Sequence, residues 1–168
     1  MNYSECEADI LQLVLGADEG NVRVFGAETI TRLVRQELLR CAAEDELTED
    51  AWAALTTARE NVLTISAADL GEKLATIHDG ILADDDLDTG ILAVIVALAH
   101  WQGYLEHNRR GEVYELAIRS IEDIDHEVSA DLDDFLATAE MAAEYERIRR
   151  LLAPDADHEA HTAAVVKL

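Results

Sequence analysis

Proline occurs once in this chain, at Pro154, and glycine only eight times. Proline halts helices and glycine supplies most tight reversals, so a chain short of both has few places to turn. Sandwiches and barrels of short strands need a turn about every 8–12 residues. The scarcity therefore excludes most all-β architectures and predicts long uninterrupted helices. The 168 residues fit one ordinary domain, and an apolar fraction of 49% is enough to bury a sizeable core.

Apolar residues recurring at spacings of three and four predict seven helices. The first covers about 4–15, with Ile10, Leu11, Val14 and Leu15 as its stripe. Gly16, Gly20 and Gly26 then bracket an expected loop whose Val22, Val24 and Phe25 cover the core. The second helix spans about 27–43, with Ile30, Leu33, Val34, Leu38 and Cys41 on one face. Thr48 is placed to cap the third, about 49–63, and Ser66 with Asp69 forms a capping box for the fourth, about 67–82. Thr89 or Asp88 is expected to cap the fifth, which continues to about His107. It holds the apolar run Ile91–Ala99 and is expected at the centre. The short turn NRRG leads to an antiparallel sixth helix, about 112–128. Ser129 is expected to cap a seventh, about 130–153, with Leu132, Leu136, Ala139, Ala143 and Ile148 facing inward. The fold class is all-α: a single bundle of about six to seven antiparallel helices over residues 1–153, followed by a flexible C-terminal tail, 154–168.

The charge bounds the partners. Thirty-six acids against 13 bases leave a net charge of −23, which excludes unaided binding to a nucleic-acid backbone or an anionic membrane. The opening MNYSECEADI carries acids where a secretory signal needs bases. The run Ile91–Ala99 would span about 13 Å as a helix, less than half of the roughly 30 Å hydrocarbon core. Cys6 and Cys41 lack CxxC spacing and read as buried thiols in a reducing cytoplasm. A cytoplasmic location is expected. Lysine appears only at Lys73 and Lys167; this acidity with arginine as the main base is also what high-GC coding or a salt-filled cytoplasm produces.

Motifs for chemistry are weak. Asp84, Asp85 and Asp88 spell DDxxD, a magnesium–diphosphate spacing, but they fall in a connection with no second acidic motif facing them. Read as a calcium loop, the same stretch has Thr89 where glycine is required and Ile95 where glutamate is required. Glu112, Glu115, Glu122 and Asp125 resemble the paired acids of all-α nucleotide pyrophosphohydrolases, yet both pairs fall on one helix. Asp123 and His126 match one ligand pair of a di-iron bundle without its counterpart. His158 and His161 stand in the tail, one residue short of HExxH spacing. No catalytic residue, metal ligand set or cofactor is assigned.

What remains is acidity with a location. Glu122, Asp123, Asp125, Glu127, Asp131, Asp133 and Asp134 crowd thirteen residues that contain no lysine or arginine. Charges this dense repel one another, and a cationic partner relieves the repulsion and associates rapidly. Tyr104 and Tyr114 are the aromatic anchors proposed beside that surface.

The run from Trp52 carries a W-x-x-L element, Glu72-Lys73-Leu74, DDLDTGILAVIVALAHWQGYLE, ELAIRSIEDID and a final AAEYERIRRLL. This rhythm resembles all-helical bacterial proteins, of unassigned activity, related to the immunity partners of polymorphic and contact-dependent toxins. The resemblance implies a non-enzymatic binder that occludes a toxin domain, and it carries over no functional residue. The leading expectation is an acidic module that neutralises or escorts a basic protein, most concretely an immunity protein for a nuclease-type toxin. A homo-oligomer is compatible with it. The alternatives are a magnesium-dependent nucleotide or diphosphate hydrolase, and a helical scaffold from a salt-adapted cytoplasm.

Overall fold

Asn2 starts the first helix with a reciprocal cap. Its Oδ1 accepts from the Glu5 amide at 2.9 Å while the Glu5 carboxylate accepts from the Asn2 amide at 3.0 Å. The structure is a computed structural model and describes residues 1–33, 46–82 and 89–153. Within them lie seven α-helices: α1 (Tyr3–Gly16), α2 (Glu19–Leu33), α3 (Glu49–Glu60), α4 (Ala67–Asp79), α5 (Thr89–His107), α6 (Arg110–Val128) and α7 (Ala139–Leu152). No β-strand occurs among the described residues beyond an isolated bridge between Leu47 and Ile81. The fold is an all-α helical bundle. Val34, Leu38, Cys41, Asp84, Asp85, Asp88 and the tail 154–168 lie outside the described residues.

Two expected boundaries are corrected. The stretch predicted as a loop from Gly16 to Gly26 is mostly helix. Asp18 caps α2 by accepting from the Asn21 amide at 2.8 Å, so only Ala17 and Asp18 separate the first two helices. Val22 and Phe25 are fully buried on α2. The second correction concerns α7, which begins at Ala139 behind a Thr138 cap rather than at Ala130. Leu132 points to solvent at 63% exposure, and Ala139 and Ala143 are exposed as well.

The α1 stripe is Cys6, Ile10 and Val14; Leu11 and Leu15 face outward. The predicted caps Thr48 and Ser66 are in place. Backbone bonds from Thr48 to Gly80 and from Leu82 to Glu46, each 2.8 Å, close the α3–α4 hairpin. On α5, Ile91, Val94, Leu98 and Trp101 are buried, whereas Leu92 is 48% exposed, so this helix is not enclosed on every side. α6 packs against α1, α2, α5 and α7 and buries Val113, Leu116, Ala117, Ile121 and Ile124. No helix among the described residues is long and apolar enough to cross a membrane.

Candidate functional site

The acidic stretch occupies the last turns of α6 and the irregular segment that follows. Ser129, expected to start α7, instead ends α6. Its backbone is left-handed (φ 52°), and its amide donates to the Asp125 carbonyl at 2.7 Å. The Asp125 carboxylate accepts from the Ala130 amide at 2.7 Å, and Asp131 Oδ1 accepts from the Asp133 amide at 2.9 Å. Two of the seven acids therefore shape the turn itself.

Backbone and aromatic contacts pin the segment to the start of α1. The Tyr3 amide donates to the Leu132 carbonyl at 3.0 Å and the Phe135 amide to the Met1 carbonyl at 2.9 Å. Phe135 is buried, its ring edge-on to Tyr3 with centroids 4.9 Å apart. Asp131, Asp133 and Asp134 project into solvent from this segment and Glu122 and Glu127 from α6, while Asp123 and Asp125 are half-buried. Arg119 stands 4.0 Å from Glu122, a weak exposed pairing. Leu132 sits among the aspartates, the most exposed large apolar side chain among the described residues. Sequence periodicity hides it, because Leu132 and Leu136 stand four apart and read as an inward helical stripe.

The proposed aromatic anchors separate. Tyr104 is 2% exposed and stacks on Trp101 at 5.2 Å, so it is a core residue and presents no surface. Tyr114 is half-buried at the seam between α1 and α6, its hydroxyl 3.5 Å from Glu7. Glu112, Glu115, Glu122 and Asp125, the paired acids resembling those of pyrophosphohydrolases, all lie on α6, and the DDxxD acids lie outside the described residues. Glu112 is turned toward α5, where it meets His100 Nδ1 at 2.8 Å. Among the described residues no group of three or more His, Cys, Asp or Glu side chains is arranged to hold a metal ion.

A second polar feature was not anticipated from the sequence. Glu144 of α7 is only 2% exposed. Its carboxylate accepts from Ser120 Oγ, from Arg32, and from Arg147 Nε and Nη2 at 3.0 and 2.8 Å. Arg147 Nη2 also reaches Thr29 at 3.0 Å and Ser120 at 3.1 Å, and its guanidinium lies 5.7 Å from the Phe25 ring centroid. Burial pushes the Arg147 guanidinium below its ordinary pKa, and nearby Glu28 opposes that shift. The network ties α2, α6 and α7 together at their common seam. A buried charge must be paired. The sequence offers only Glu144 and Arg147 three apart, a spacing shared with exposed pairs such as Glu146 and Arg149.

Nothing matched the chain in comparisons with family models, with curated proteins and with solved structures.

Proposed function

We propose that this chain is an acidic protein-binding module that neutralises or escorts a basic protein partner. In its most concrete form it is an immunity protein covering the basic cleft of a nuclease-type toxin domain. The observation that carries the reading is the surface around Leu132. Three exposed aspartates, Asp131, Asp133 and Asp134, flank the exposed Leu132 on a segment that Phe135 and the α1 backbone already hold in place, and Glu122 and Glu127 add exposed charge on the preceding helix. A preordered segment loses less conformational entropy on binding, and an apolar centre within a polar rim is how interfaces are commonly arranged. The acids supply long-range steering and Leu132 a short-range anchor. The location expected for such a module is the cytoplasm.

The test is affinity capture of the purified protein from its own lysate at about 0.1 M and 1 M salt, with folding followed by circular dichroism in both buffers. One dominant basic protein, held at low salt and weakened at high salt, is the expected outcome. Failure to retain a basic protein, with the bait folded in both buffers, overturns the reading. A bait that folds only in molar salt instead favours a scaffold from a salt-adapted cytoplasm.

A further inference from the structure

Three arginines line one cleft. Arg32 of α2, Arg59 of α3 and Arg147 of α7 border an opening of about 440 Å³, whose apolar wall is Ala27, Val62 and Leu63. That volume falls within the range of small-molecule sites. Most of the surface of a chain carrying −23 repels anions, so a lining in which three guanidinium groups stand against two carboxylates is a local departure. None of the acids of the 122–134 stretch borders it.

The guanidinium groups of Arg59 and Arg147 are only partly used. Arg147 commits Nε and Nη2 to Glu144, Thr29 and Ser120. Its buried Nη1 has no hydrogen-bond partner among the described residues, and neither has the buried Nε of Arg59. Among the described residues, the Arg59 side chain otherwise reaches the Thr31 carbonyl alone, at a long 3.4 Å. Buried donors without acceptors are costly, and an incoming carboxylate is the acceptor that matches an arginine fork. The other charged residues at the cleft, Glu28 and Glu60, are exposed and solvated at its rim. Their charge weighs more heavily against a dianion than against a monoanion.

We propose that this cleft binds a small organic monocarboxylate, with the carboxylate on Arg59 and Arg147 and the apolar body along Ala27, Val62 and Leu63. The structure contains its own reporter. The Trp101 indole N–H donates to the carbonyl of Val62 at 3.1 Å, so an occupant pressing on Val62 moves the indole signal.

The experiment is an amide and indole NMR titration with sodium hexanoate at fixed ionic strength, with hexanol and inorganic phosphate as comparison probes. The two tryptophan signals are assigned through Trp52→Phe. Saturable shifts of the Trp101 indole and of the Val62 and Leu63 amides, in the millimolar range, are expected with hexanoate. Arg59→Gln should weaken hexanoate about tenfold or more, and Leu63→Glu should do the same by setting a carboxylate at the mouth. Neither position is fully buried, and circular dichroism checks that both variants fold. Absence of saturation overturns the site. So does hexanol acting as strongly as hexanoate, phosphate binding as tightly, or Arg59→Gln leaving the affinity unchanged.

Discussion

Gly26 of α2 lies directly against the indole of Trp101 on α5. A Cβ built on Gly26 would stand 2.6 Å from Cη2 of that ring and closer still to Cζ3, far inside van der Waals contact. The glycine keeps negative φ, so its role is space rather than an unusual backbone. Trp101 is fully buried and fixed by its bond to Val62, so it has little freedom to retreat.

Gly26→Ala should therefore destabilise the fold by about 1–3 kcal/mol, despite the better helix propensity of alanine. Urea denaturation followed by tryptophan fluorescence measures it. A neutral or stabilising result would show that α2 and α5 can separate at no cost.

Glu144 compensates a buried guanidinium. Glu144→Ala leaves Arg147 without its carboxylate and should cost about 3–5 kcal/mol, a large share of a small domain's stability. Replacing Glu144 and Arg147 together by leucine and methionine should recover most of that loss, because the more deeply buried of the two guanidinium groups on Glu144 is gone and Arg32, the other, is the more exposed. Chemical denaturation of the single and double variants distinguishes this from simple loss of packing.

All four tyrosines have pKa values raised above the ordinary 10.0, with burial as the leading cause. Tyr3 reaches about 12, and Tyr145, which donates to Asp9 across α1 and α7 at 2.6 Å, is pushed beyond that range. Above pH 10 the unfolded chain releases these protons while the folded chain keeps them. The unfolded state then binds fewer protons, so stability falls as pH rises. The stabilisation is whole below about pH 10 and drains away through pH 12 and above, with the Cys6 thiol, raised by burial to about 11, adding to the loss from about pH 9. Urea midpoints from pH 8 to 12 should trace this decline, and Tyr145→Phe should make it shallower.

Asp133 and Asp134 are exposed, and their carboxylates accept none of the bonds that form the turn, unlike that of Asp131. Asp133→Lys with Asp134→Lys should leave the fold intact and slow association with a basic partner by about tenfold at low salt. Stopped-flow or surface-based on-rates across a salt series check this. An on-rate that does not change at low salt would remove the 122–134 acids from the steering role.

The reach of local signals explains where sequence reading succeeded. One proline, few glycines and apolar spacings of three and four were enough for an all-α bundle, because helices are stabilised within a single segment. Thr48 and Ser66 were legible as caps for the same reason: donor and acceptor stand three residues apart. The density of acids in the 122–134 stretch is a property of the sequence alone, whereas their exposure, five outward and two half-buried, is a property of the fold. Distance along the chain hid the rest. Gly26 reads as a loop residue until Trp101, far away in sequence, fills the space above it. Leu132 reads as core until Tyr3 and Met1 capture the backbone beside it and Ser129 takes a left-handed turn. Glu144 reads as one more surface acid until Arg32 and Ser120 close over it from two other helices. Secondary structure follows from neighbours in sequence, whereas burial and the pairing of buried charge follow from neighbours in space, and only the packed bundle brings those together.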